Sequence, residues 1–234
     1  MKAVLVFLLV VVAAIASVPF IPLSAAIEAA HLEKFGFEAS DIQGNLLSGQ
    51  IYDAHFGKVA LGDITSSLSF ADLSKGRVKL QVQGTDEVSK LSGAFSYGLG
   101  GLALEKFNMG VPAMIGAPPL GGLTINITDL DVRFPGGVCT DGTGTARAWI
   151  AGAAPGLGIP NTISGPVVCR DGYLVLDLMS DSGREREVIT VLDYDRYRVR
   201  MTVQQTLPQI TRALEAKGFV PSAEGYVLET ERSL

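Results

Sequence analysis

Strict alternation of apolar and polar residues constrains this chain more than any other feature. In Arg77-Val78-Lys79-Leu80-Gln81-Val82-Gln83 every apolar residue is even-numbered. In Arg196-Tyr197-Arg198-Val199-Arg200-Met201-Thr202-Val203 every apolar residue is odd-numbered. A period of two sends alternate side chains to opposite faces of a strand, so each segment has one buried and one wet face. Leu123, Ile125 and Ile127 share a face, while Leu130, Val132 and Phe134 continue in the opposite register. That switch predicts a β-bulge near Thr128-Asp129 and therefore a curved sheet. Further strands are expected over 50–61, 64–71, 91–97, 101–108, 144–151, 172–179, 186–193 and 225–230. No strand–helix–strand alternation is present, which disfavours a parallel α/β fold. The 27 glycines are scattered rather than periodic, as many short strands joined by turns require.

The amino terminus sets the compartment. After Met1-Lys2, residues 3–23 carry no charge and only Ser17 is polar. The run contains Ala3, Val4, Leu5, Phe7, Leu8, Leu9, Val10, Val11, Val12, Ile15, Val18, Phe20, Ile21 and Leu23. At ~1.5 Å per residue its helix would be ~31 Å long, enough to span a bilayer. The alternative is a cleaved signal peptide, because Ala14-Ile15-Ala16 has the small-x-small form of a cleavage site. The apolar run continues past that site, which favours a retained anchor. Lys2 as the flanking cation orients the amino terminus inside. The expected organisation is a transmembrane anchor over 1–24 and an exported, β-rich periplasmic domain over 25–234. Gly110-Val111-Pro112 through Gly121-Gly122 is the strongest internal break and divides the domain into two lobes near 110–122.

Two helices interrupt the strands. Residues 24–35 extend the anchor up to Gly36. A second helix is expected over 207–217, with Thr206 as N-cap, Gln209 completing a capping box and Gly218 as the stop. Leu207, Ile210 and Leu214 form its apolar stripe, which closes one end of the sheet or faces a partner. The fold class expected is mainly β: a transmembrane helix, a curved antiparallel sheet or sandwich, and one short C-terminal helix.

Charge and motifs exclude several functions. Lys plus Arg number 19 against 24 Asp plus Glu, a net −5, which argues against binding a phosphate backbone. With two histidines and no Gly-x-Ser-x-Gly elbow, a hydrolytic triad would have to form around His55, which reads instead as a solvent-facing strand residue. Gly98-Leu99-Gly100-Gly101-Leu102-Ala103 fits a loose dinucleotide pattern, but the following segment is too short for the required helix, so it reads as a β-turn. Asp177, Asp181, Asp193 and Asp195 lack calcium-loop spacing. The sequon Asn126-Ile127-Thr128 falls inside an expected strand. No catalytic residue, metal or cofactor emerges. Cys139 and Cys169 each lie at a turn in an exported domain, where oxidation favours a disulfide over two buried thiols.

The order of an apolar N-terminal run, Ile42-Gln43-Gly44-Asn45-Leu46-Leu47-Ser48-Gly49, Cys139 and Val168-Cys169-Arg170-Asp171-Gly172-Tyr173-Leu174 resembles type II secretion system protein N. The tail adds Tyr197 to Val203, Leu207-Pro208, Leu214-Glu215-Ala216-Lys217-Gly218-Phe219 and Gly225-Tyr226-Val227-Leu228. The family usually carries Gly-Thr-Leu-Trp-x-Gly where this chain has Gly44-Asn45-Leu46-Leu47-Ser48-Gly49. The resemblance implies a non-enzymatic, single-pass inner-membrane protein of a Gram-negative cell. Its periplasmic β domain would work with the inner-membrane platform that moves folded proteins across the outer membrane. The alternative is a membrane-anchored lipid-binding or lipid-transfer protein with an apolar β groove. An open apolar channel would favour lipid, and a filled interior a protein-interaction module.

Overall fold

The computed structural model describes residues 20–233 apart from 30, 58, 70, 71, 73–75, 86–89, 99, 116–122, 151–159, 194 and 206. The alternating segments pair into one antiparallel sheet that contains fifteen strands among the described residues. These are β1 (Phe37–Glu38), β2 (Asp41–Asn45), β3 (Ser48–Phe56), β4 (Val59–Ser69), β5 (Arg77–Gly84), β6 (Ser92–Gly98), β7 (Gly101–Ile115) and β8 (Leu123–Phe134). They continue as β9 (Asp141–Ile150), β10 (Thr162–Arg170), β11 (Tyr173–Met179), β12 (Glu185–Val191), β13 (Arg196–Val203), β14 (Val220–Ser222) and β15 (Gly225–Ser233). From β3 to β13 every strand lies beside its sequence neighbours. β15 then inserts between β13 and β14, and β1 and β2 both pair with β3. The sheet curls enough that β4 approaches β7, three strands away.

This meander gives the sheet two rims, which the register defines. The entry rim collects the β2–β3 turn, the start of β5, the β6–β7 turn, the end of β8 and the β10–β11 turn. The described chain begins here: Pro22 bridges to Asn45, and the Leu46 N–H donates to the Ile21 carbonyl at 3.2 Å. Helix α1 (Leu23–Ala29) and a 3-10 turn (Leu32–Phe35) then carry the chain to the far rim. There the Gly57 N–H donates to the Gly36 carbonyl at 2.7 Å.

Period-two burial builds the core. Ile125, Ile127, Leu130 and Val132 of β8, Ala146, Ala148 and Ile150 of β9, and Val199, Met201 and Val203 of β13 are all buried. Each large aliphatic side chain contributes roughly 1.5–3 kcal/mol on full burial. Helix α2 (Pro208–Ala216) lays Leu214 on this core. Its end is a Schellman motif: Gly218, at φ 91°, donates to the Glu215 carbonyl and Phe219 to that of Leu214.

The bulge expected near Thr128-Asp129 is present, since the β8–β9 register shifts between Thr128 and Asp131. It is one of a set. Asp53, Lys106 and Asp129 each sit at a register shift with φ near +50°, a conformation that costs a non-glycine residue free energy. In each case a side chain on the adjacent strand receives the backbone N–H: Asp63 for Asp53 (2.9 Å), Asp131 for Lys106 (3.2 Å) and Asn108 for Asp129 (3.0 Å). These bonds offset the strain and fix the positions where the sheet bends.

Several expectations need correction. The helix predicted over 24–35 is interrupted, because α1 ends at Ala29 and His31 and Gly36 are left-handed. Leu207, not Thr206, holds the N-cap position of α2 and makes no side-chain capping bond, so no capping box forms; Thr206 lies outside the described residues. Leu207 is 57% exposed, which leaves Ile210 and Leu214 as the packing stripe. Of the segment 110–122, residues 110–115 form the end of β7, and 116–122 lie outside the described residues. Among the described residues no helix is long and apolar enough to cross a membrane. Residues 3–19 of the expected anchor lie outside them. Of its described end, Phe20 and Ile21 are exposed, whereas Leu23 starts α1 and is only 2% exposed. Leu23 therefore takes part in the packing of the sheet.

Candidate functional site

The segment Gly44–Gly49 is a tight hairpin with a helix seated against it. Asn45 Oδ1 accepts from the Leu47 and Ser48 N–H groups at 3.0 and 3.1 Å, which closes the two-residue turn. Gly44 has φ +85°, and a Cβ there would run into the Ser48 carbonyl. A Cβ on Gly49 would overlap Leu23, so this glycine leaves the space that α1 fills. Leu47, where the family usually has tryptophan, occupies the turn itself.

Beyond this hairpin, β3 to β7 enclose a cleft of about 550 Å³ lined by Gln50, Thr65, Ser67, Lys79, Gln81 and Glu105, among others. Polar side chains are frequent in its lining, but polar and apolar atoms share its surface about equally. Lys79 Nζ donates to Glu105 Oε2 at 2.6 Å, and Ser96 Oγ donates to Oε1 at 2.7 Å. Arg77 stands 3.8 Å from the same carboxylate. The Lys79 hydrogen bond, helped by Ser96, holds the Glu105 carboxyl below its ordinary range, so it is a fixed anion near neutral pH. Inside the sheet, Ser66 Oγ is buried without a hydrogen-bond partner.

In the second half, Cys139 and Cys169 form a disulfide with Cα atoms 5.4 Å apart. It ties the β8–β9 connection to the last residues of β10. The Cys139 N–H donates to the Gly172 carbonyl at 2.9 Å, in the β10–β11 turn. That turn is Asp171-Gly172, both left-handed, which is the type I′ geometry that matches strand twist. No thiol among the described residues is free, and the bridge ties this rim together.

Two carboxyls in this half differ in environment. Asp177 accepts from Arg186 at 2.7 and 2.6 Å and from Arg170 at 3.2 Å. The Arg186 fork holds it below the usual carboxylate range, and Arg186 is raised in return. Glu187 faces the opposite way, in register with Leu178 and Met201, both essentially inaccessible. It is 2% exposed, and burial pushes its carboxyl up to about 7. Glu185, also buried, accepts from Ser180 and Ser182 at 2.6 and 2.8 Å. Neither buried glutamate was legible as a core residue from residue type, although both share parity with Ile189 along β12.

The remaining sequence candidates fall into structural roles. His55 lies on β3 with Nδ1 2.8 Å from the Asp53 carbonyl, and among the described residues no hydrogen bond joins it to a serine. Gly98 and Gly101 face each other across the β6–β7 turn. Asn126 is within β8, and the four aspartates do not converge with other ligands into a metal-binding group among the described residues.

Residues 36–228 match the family of type II secretion system (T2SS), protein N. The chain belongs to that family. The match runs from the glycine before β1 to the fourth residue of β15, so the protein N region is the sheet itself. Protein N is a component of the type II secretion system, a protein-transport machine, and not a family known for catalysis. Membership implies association with other components of that system. No curated protein and no solved structure matches the chain.

Proposed function

We propose that this protein is a non-enzymatic, single-pass component of the inner membrane that supports export of folded periplasmic proteins through the type II secretion system. The apolar run from residue 3 is its anchor, with the amino terminus inside and the sheet in the periplasm. The sheet acts by protein–protein contacts with the inner-membrane platform. The observation that carries this reading is the protein N match across the whole sheet. The interior supports it further, because the core face is packed with buried aliphatic side chains rather than open as a channel.

The test is crosslinking of the full-length protein in cells, with mass spectrometry of attached proteins and co-purifying lipids. Crosslinks to platform subunits without stoichiometric lipid are expected. About one lipid per chain and no platform crosslink would replace this reading with lipid transfer. A companion strain exchanges residues 1–19 for a cleavable signal, which keeps Leu23 in the core; it is expected to release the sheet and to fail in secretion.

A further inference from the structure

We infer that the entry rim of the sheet rests on the bilayer surface, with a strip of apolar side chains inserted at the lipid–water boundary. Val78 of β5 pairs with Tyr97 of β6, Tyr97 with Leu102 of β7, and Leu102 with Phe134 of β8. Side chains directly opposite in neighbouring strands stand about 5 Å apart, so these four form one continuous row. On this face of the sheet burial increases away from the rim, with Leu80, Phe95 and Leu104 half-buried and Val82 and Val132 buried. The row itself is exposed at Val78, Tyr97 and Leu102, with Tyr97 67% accessible. Val138 and Tyr173, beside the disulfide on the same rim, are exposed as well.

The chain's own geometry selects the bilayer as the occupant. The described fold begins on this rim, where Ile21 and Pro22 meet the β2–β3 turn. The residues immediately upstream are the uncharged apolar run. A membrane holding that run therefore lies against this rim and not against the far one. Tyrosine rings flanked by aliphatic groups suit the boundary, where the ring is apolar and the hydroxyl stays wet. Arg77 and Arg170 are engaged within the sheet, the first by Asp72 and Glu105 and the second by Asp177. Apolar insertion of the row is the main source of contact, and the exposed Arg133 beside Phe134 adds one cation at the same rim. The inference rests on the anchored reading above and adds the orientation of the domain.

The chain carries its own reference probe. Trp149, the one tryptophan, is on β9 next to the far rim. Eight residues separate it from Asp141 at the entry rim, roughly 26 Å at ~3.3 Å per residue. Full-length wild type and Tyr97→Trp are reconstituted in vesicles containing brominated phosphatidylcholine, and tryptophan quenching is compared with unbrominated vesicles. Wild-type emission is expected to be unchanged, while the emission added at position 97 loses most of its intensity. Leu102→Trp provides a second reporter in the same row. If the added emission is not quenched while the protein resists alkaline carbonate extraction, the rim contact is refuted and the anchor stands. Quenching of Trp149 would refute the orientation. If carbonate releases the chain, the anchored reading fails, and quenching at position 97 decides the rim contact by itself.

Discussion

Replacing Glu187 by glutamine removes an ionisable carboxyl that the core favours in its neutral, protonated form. The side chain faces Leu178 and Met201 and is almost inaccessible. Its carboxyl titrates near 7 instead of the ordinary 4.5 because burial disfavours the anion. The difference corresponds to about 3 kcal/mol of stability. Since the folded chain holds this proton more tightly than the unfolded chain, the contribution is fully present below pH ~4.5. It is lost as pH rises through about 7 and is constant above that. Glu105 and Asp177 titrate below their ordinary values, so both stay ionised, folded or unfolded, between pH 5 and 8. That window therefore isolates Glu187 from them. Urea unfolding of the full-length protein in non-ionic detergent, followed by Trp149 fluorescence, reads the effect. Wild type is expected to lose about 1 M in midpoint relative to Glu187→Gln between pH 5 and pH 8, taking a slope of about 2–3 kcal/mol/M. An equal midpoint difference at both pH values would refute the assignment of a buried, neutral carboxyl.

Two further outcomes are expected. Cys139→Ser opens a loop of 30 residues, which in the loop-closure relation removes about 3–4 kcal/mol; a melting temperature equal to wild type in oxidising buffer would show that the bridge contributes nothing. Gly49→Val places a side chain where Leu23 lies and is expected to destabilise the fold by about 1–3 kcal/mol as α1 is displaced. Melting temperature and faster proteolysis within 23–29 check this, and an unchanged pattern would mean that α1 does not depend on that gap.

Strands whose partners demand alternation were legible. Residues 77–83 and 196–203 lie in β5 and β13 as their parity requires, and the phase change at Thr128-Asp129 marks a bulge. Gly218 was legible as a stop because only a left-handed residue ends α2 there. β10 was not legible. Gly165-Pro166 in its middle reads as a turn, yet pairing with β11 skips both residues and resumes at Val167. A Cβ at Gly165 would overlap the Asp177 carbonyl, so close strand approach and not turning explains this glycine. The cleft was invisible for a related reason, since alternation tells which face is wet but not where a wet face curls inward. The acceptors that relieve Asp53, Lys106 and Asp129 are remote in sequence, 10, 25 and 21 residues away, and no local pattern announces them. The disulfide was legible because both cysteines flank turns in a chain with an export-type start.

Sequence neighbours remain spatial neighbours from β3 to β13, and this has a kinetic meaning. Each new strand needs only its predecessor, so little loop-closure entropy accumulates and the sheet can grow in the order of synthesis. A growing sheet always exposes one unsatisfied edge until the next strand arrives. Growth ends when β15 pairs with β13, bringing Glu229 and Glu231 within ion-pair distance of Arg198. The three-residue β14 is then the last strand on that side, too short to offer a long template to a second chain.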